Sequence, residues 1–185
     1  MSDMEVDISI QAGAWDRIGN AEAVVREAAR AAAAAVGGEQ AVAAGRQLEV
    51  SVTLGDDPLV RELNRSYRGF DKATNVLSFP QPAPGGTGGD MPAADRAPAH
   101  LIGDIVLAYE TIERESGAAG LAVAQHLAHL VVHGMLHLFG YDHEEDGQAA
   151  DMEAMETRIL AGIGVPDPYG SGGAGNTLAT AGQDR

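Results

Sequence analysis

Five of the chain's six histidines fall between positions 126 and 143, and the core of this group reads His133-Gly-Met-Leu-His137-Leu-Phe-Gly-Tyr-Asp-His143. Residues at i and i+4 of a helix lie on one face with Cβ atoms roughly 5–6 Å apart. The imidazoles of His133 and His137 can therefore reach one ion at the ~2.0–2.1 Å of a zinc–nitrogen bond. Gly140 lets the chain leave the helix through a left-handed residue. Tyr141 and Asp142 then carry it round, so that His143 can swing back to the same ion. Three neutral nitrogen ligands with no fourth protein ligand leave a position for water, the pattern of a catalytic zinc and not of a structural one.

The neighbouring histidines are weighed against that pair. His129 and His137 are separated by ~12 Å of helical rise, so an intact helix cannot bring both to one ion. Only the His133–His137 pair is followed by a glycine turn that returns a third histidine. His129 is expected to pack or hydrogen-bond behind the ligands, and His126 to lie on the surface. His100 is given no role. The bland reading, histidines scattered on an apolar helix, is disfavoured by the turn glycine. Asp142 and the run Glu144-Glu145-Asp146 either orient imidazoles or form a solvated acidic loop that caps the next helix.

Zinc peptidases carry His-Glu-x-x-His, with the glutamate as general base. Here Gly134 takes that place. Peptide hydrolysis needs a proton shuttle to the departing amine. Phosphodiester cleavage can lean instead on a cation and a metal that stabilise phosphoryl charge. The cation is sought in Arg61, Arg65, Arg68 and Lys72, a local concentration in a chain with 12 basic residues. Arginine suits phosphate because its planar fork donates two parallel hydrogen bonds. Tyr67, Phe70 or Phe79 would stack a base or belong to the core. Arg68 would meet a phosphate or form a surface ion pair.

Several elements must position these groups. Alternation of Val6, Ile8 and Ile10 predicts a strand over 5–10, and that of Leu48, Val50, Val52 and Leu54 a second over 48–54. Between them an alanine-rich helix runs over 20–36, capped by Asn20 and ended by Gly37-Gly38. Asp56 or Asp57 caps a helix over 58–67 with proline in its first turn. Residues 75–79 and 104–109 read as strands, and 110–116 as the start of a helix. The apolar stretch 121–139 is a buried helix ending at Gly140. A last helix spans 148–163, with Met152, Met155, Ile159, Leu160 and Ile163 facing inward. Four strands and about five helices, not strictly alternating, predict an α+β domain: a small mixed four-stranded sheet packed by helices. The expected domain covers 1–166. It contains a Pro/Gly-rich surface loop at 80–100, and a disordered tail follows over 167–185.

The 185-residue length favours one domain with a proper core. The absence of cysteine excludes disulfides, thiolate zinc sites and iron–sulfur clusters. The first ten residues carry Asp3, Glu5 and Asp7 and have neither the charge nor the apolar run of a secretory leader. The alanine run at 28–36 is too short to cross a bilayer. The protein is accordingly read as cytoplasmic, without a membrane partner. A formal net charge of −15 argues against a general nucleic-acid binder, yet it permits an enzyme with one local basic cleft.

The eleven-residue histidine segment resembles the signature of the YbeY family, the endoribonucleases and ribosomal RNA maturation factors of bacteria. Leu63-Asn-Arg-Ser-Tyr-Arg68 running into Thr74-Asn-Val-Leu-Ser-Phe-Pro80, then Gly103-Asp-Ile-Val106, then Met155-Glu-x-x-Ile-Leu160 match in order. The resemblance spans about Met4 to Ile163. It implies an α+β fold, one zinc ion held by His133, His137 and His143, and cleavage of single-stranded RNA. It further implies maturation of the 3′ end of small-subunit ribosomal RNA and ribosome quality control. The partners would be pre-ribosomal RNA and the small ribosomal subunit with its proteins, and not DNA. Arg68 matches the family's RNA-contacting arginine and is the catalytic candidate. Two positions depart from the pattern: His126 stands where glutamate is expected, and Asn75 where many members have aspartate. The acidic outer surface would face basic ribosomal proteins. Two other readings stand beside this one, a protease-like metal hydrolase and a non-enzymatic ribosome assembly factor braced by a structural zinc.

Overall fold

The computed structural model describes residues 4–36, 47–81, 99–142 and 146–170. Among them are four strands, five α-helices and one 3-10 turn. In chain order these are β1 (Met4–Ile10), the 3-10 turn (Gly13–Ile18), α1 (Ala21–Val36), β2 (Gln47–Gly55) and α2 (Asp57–Arg68). There follow β3 (Val76–Pro80), β4 (Ala99–Ala108), α3 (Tyr109–Ala119), α4 (Val123–Leu138) and α5 (Asp146–Gly162). The strands form one mixed sheet in the order β1-β2-β4-β3. β1 and β4 run parallel to β2, and β3 is antiparallel to β4. The expected α+β class and mixed four-stranded sheet are both present.

Side-chain alternation sorts the strands onto two faces. Leu48, Val50, Val52 and Leu54 of β2, with Ile105 and Leu107 of β4, join the principal core beneath α1, α4 and α5. Their neighbours Val106 and Ala108 point the other way and meet Leu77 and Val60 under α2. Each fully buried aliphatic side chain of this kind contributes about 1.5–3 kcal/mol. The inward face of α1 is built from Val25, Ala28, Ala29, Ala32 and Ala33, all fully buried. Such small side chains let α1 lie close against α4, its main partner. α4 occupies the centre, with Leu127, Leu130, Val131, Val132, Met135 and Leu136 excluded from solvent.

Two features escape the periodicity. The turn Gly13–Ile18 is too short to show one, yet it seats Trp15. The indole N–H donates to the Gly55 carbonyl at 2.8 Å, and the ring stands edge-on to Tyr109 at 5.2 Å. A bulge in β4 opposite Glu49 and Val50 brings Gly103 to a φ of 153°. There a Cβ would press on the Phe79 carbonyl and would lie 2.7 Å from the Leu138 side chain. Gly103 thus permits β3, β4 and the end of α4 to close on one another.

Residues 167–170 fold back along α5: the Asp167 carboxylate accepts from the Thr157 hydroxyl at 3.2 Å and from the Tyr169 N–H at 2.9 Å. Residues 171–185, and most of the loop expected at 80–100, lie outside the described residues.

Candidate metal centre

α4 brings His133 and His137 together as their spacing requires. Their Nε2 atoms are 3.0 Å apart and their rings stand nearly perpendicular. Two ~2.0–2.1 Å zinc bonds at a tetrahedral angle would place ligand nitrogens about 3.3 Å apart, so a small relaxation seats the ion. What lies behind each ring supports this fit. The Nδ1–H of His137 is directed to the Tyr141 carbonyl at 3.0 Å, and that of His133 to Glu156 Oε1 at 2.6 Å. With Nδ1 protonated on both rings, each Nε2 carries a lone pair, and the two lone pairs face each other. That arrangement calls for a cation or a shared proton between them.

The turn after α4 serves both purposes at once. Gly140 adopts φ 90°, the left-handed value expected of it. The Gly140 N–H bonds to the His137 carbonyl at 3.0 Å and the Tyr141 N–H to the Leu136 carbonyl at 3.0 Å, which closes the helix end. The turn that redirects the chain thereby aims the Tyr141 carbonyl at His137. His143, the expected third ligand, lies outside the described residues. Among the described residues no three histidine or carboxylate groups are placed to hold an ion.

The orienting carboxylate is Glu156 of α5, a residue to which the sequence reading gave no role. It is fully buried. Oε1 takes His133, while Oε2 takes the His129 Nε2–H at 3.0 Å and the Tyr169 hydroxyl. Burial by itself would raise its pKa. The hydrogen bonds and charges of His129 and His133 outweigh burial and hold it at about 2, so the carboxylate is ionised at neutral pH. His129 thus has the supporting role expected of it. The inward stripe of α5 is Met152, Glu156, Ile159 and Leu160, whereas Met155, expected inside, is only half-buried. A charged residue on an apolar stripe was the legible signal for Glu156. Tyr169 gave no comparable signal.

His126 is not on the surface. It is 1 % exposed, and its Nε2 lies 2.8 Å from Glu115 Oε2, which also accepts from Asn75 Nδ2 at 3.0 Å. The reason is helical phase: His126 shares a face with buried Leu130. The two departures from the YbeY pattern, Asn75 and His126, therefore meet at one carboxylate. Burial would raise the Glu115 pKa, but hydrogen bonds from His126 and Asn75 bring it below the ordinary range.

Gly134 is a contact residue. A Cβ there would sit 3.0 Å from Ser78 Oγ and 3.1 Å from Ile105, so position 134 packs against the sheet. On β3 the Ser78 carbonyl accepts from the Arg68 guanidinium at 3.1 Å. Arg68 is exposed at the C-terminal end of α2. Beside it Tyr67 is 72 % exposed and touches Phe79 edge-on at 5.4 Å.

The other expected cations are largely neutralised. Arg61 makes a two-pronged bond to Asp71 at 2.8 and 2.9 Å, and Arg65 is 2.6 Å from Glu62. They line an open groove of about 730 Å³ with Lys72 and Asp57. Three carboxylates balance three cations there, and neither His133 nor His137 belongs to it.

A family model described as Endoribonuclease YbeY matches residues 14–164. A protein named Endoribonuclease YbeY from Rhodopseudomonas palustris strain BisA53 is 51 % identical over 163 residues, 88 % of this chain and 88 % of its own length. One of the same name from strain HaA2 is 50 % identical over 163 residues, 88 % of this chain and 80 % of the relative. Another from Azorhizobium caulinodans is 44 % identical over 166 residues, 90 % of this chain and 96 % of the relative. A Thermotoga maritima protein solved in solution aligns over 85 % of this chain and 91 % of its own, with TM-score 0.47 and 21 % identity.

Proposed function

The chain belongs to the YbeY endoribonuclease family, and on that footing we propose that it cleaves single-stranded RNA with one zinc ion held by His133, His137 and His143. As a member of that family it is an endoribonuclease, a hydrolase of phosphodiester bonds whose substrate is RNA. The proposal extends to its setting: maturation of the 3′ end of small-subunit ribosomal RNA in the cytoplasm, alongside the small subunit and its proteins. The observation that carries the metal reading is the 3.0 Å approach of two Nε2 atoms whose Nδ1 protons are both directed elsewhere.

When bound, zinc supplies Lewis acidity, drawing charge from a phosphoryl oxygen and easing the deprotonation of water. The protein's part is positional. Glu156 fixes the tautomer and plane of His133, and the Tyr141 carbonyl does the same for His137. Arg68, held by Ser78, offers its remaining N–H donors to the negative phosphate oxygens. Tyr67, exposed next to it, gives a base a face to stack on.

The peptidase alternative lacks its base: Gly134 stands where that glutamate would be, and a Cβ there would already be tight against Ser78 Oγ at 3.0 Å and Ile105 at 3.1 Å. No single helix among the described residues is long and apolar enough to cross a membrane.

The first test compares wild type with His137→Ala for bound metal, for cleavage of single-stranded RNA and for fold by circular dichroism. The wild type should hold about one zinc and cleave, and the folded variant should do neither. A folded variant that still cleaves would remove the histidine pair from the chemistry.

A further inference from the structure

The family match ends at residue 164, but the chain continues to touch the metal pair's support beyond that point. Asp167 pins a short turn against α5 by accepting from Thr157 Oγ1 and the Tyr169 N–H. The turn lays the Tyr169 ring edge-on to His129 at 5.6 Å, with the rings 85° apart. Tyr169 is 36 % exposed, while its hydroxyl is turned inward between Glu156 Oε2 and His129 Nε2, the latter at 3.3 Å.

Three donors therefore converge on one buried carboxylate: His133 on Oε1, and His129 and Tyr169 on Oε2. A buried carboxylate keeps one orientation when donors hold both of its oxygens, and it gains alternatives when a donor is lost. Only Tyr169 among the three is supplied from outside α4. It alone is supplied by a turn, pinned to α5 through Asp167.

We propose that Tyr169 is a positioning residue for the metal pair: its hydroxyl fixes Glu156, which in turn holds His133 with Nδ1 protonated and Nε2 presented to His137. This role rests on zinc being the ion that His133 and His137 share. It makes the segment after α5 part of the site, so that docking of the 167–170 turn sets how firmly the ion is held.

The test uses the full-length chain and three variants: Tyr169→Phe, which removes only the hydroxyl; Asp167→Ala, which frees the turn but keeps the hydroxyl; and Glu156→Gln as the reference. Two quantities are measured. One is the zinc dissociation constant by competition with a chelator. The other is the Nδ1–H resonance of His133 in the metal-free protein by nitrogen-15 NMR. Circular dichroism reports the fold.

Glu156→Gln should weaken zinc by about 10–100-fold, as loss of an outer-sphere partner does. Tyr169→Phe and Asp167→Ala should weaken it severalfold, in the same direction, and broaden or shift the His133 resonance in an otherwise native fold. A Tyr169→Phe protein with wild-type zinc affinity and an unchanged His133 resonance overturns the inference. A wild-type chain that takes up no zinc sinks the metal reading, and the metal-free resonance still decides for or against Tyr169.

Discussion

Arg68 stands at the end of α2 with one of its five N–H donors on the Ser78 carbonyl. That single bond leaves the guanidinium aimed along the edge of β3 with donors available to an anion. Replacement by glutamate reverses the charge without touching either metal histidine. Arg68→Glu should keep zinc at wild-type stoichiometry and lose about 10²–10³-fold in the cleavage rate, the cost of removing a donor to transition-state charge. Metal analysis and single-turnover RNA cleavage on the same preparation would check it, and retained cleavage would take Arg68 out of the mechanism. At this scale the sequence was legible where chemistry is written in local spacing. His133, His137 and the left-handed Gly140 sit within one helix and its turn, and the i, i+4 rule places them. Glu156 and Tyr169 were not placed that way, because they reach the ligands across helix packing. The carboxylate that orients His133 came from another helix, α5, whereas Asp142 and its acidic neighbours had been read either as orienting imidazoles or as a solvated loop.

Among the elements, β4 carries the tightest constraint. Gly103 lies where the Phe79 carbonyl and Leu138 close on β4, at a φ of 153° that side chains rarely adopt. Gly103→Ala should cost about 1–3 kcal/mol of stability, as overpacking does, measured by urea unfolding; an unchanged midpoint would show that β3 can move away freely. A second constraint joins α3 to α4. Glu115 on α3 binds His126 on α4 and Asn75 at the start of β3, and its pKa is lowered in the folded chain. A carboxylate lowered on folding stabilises the protein above its unfolded pKa, and that stability fades as pH falls through the folded value. Melting temperature should therefore drop on the acid side of the ordinary carboxylate range, and Glu115→Gln should flatten that limb. Equal acid slopes in the two proteins would remove Glu115 as the cause. The strands were legible because alternation is local: Leu48, Val50, Val52 and Leu54 announce both strand and face. The turn at 13–18 and the burial of His126 were not, since both are decided by what packs against them.

At the scale of the whole molecule, charge and fold pull in different directions. The chain carries −15, and two of the four cations expected to meet RNA are engaged, Arg61 by Asp71 and Arg65 by Glu62. In that region Arg68 and Lys72 have no carboxylate partner among the described residues. Two phosphate contacts on a single strand imply a shallow salt dependence, a slope of about −1.4 in log affinity against log salt. Fluorescence anisotropy with a short single-stranded RNA across a salt series would read it. A slope beyond about −4 would require six or so contacts and a basic surface elsewhere. Weak, salt-tolerant binding of free RNA would fit an enzyme that finds its substrate within an assembled particle.

Trp15 is the chain's one tryptophan, and its place in the fold gives the molecule an optical signature. The indole is 1 % exposed, bonded to Gly55 at the end of β2 and edge-on to Tyr109 at the start of α3. Its emission should be blue-shifted in the native state and move to the red only when the 3-10 turn, β2 and α3 come apart. No histidine is among its partners in these contacts, so the colour of the light reports assembly of the sheet while zinc is added or withdrawn. Loss of the fold can thus be told apart from loss of an ion, which would leave that colour unchanged.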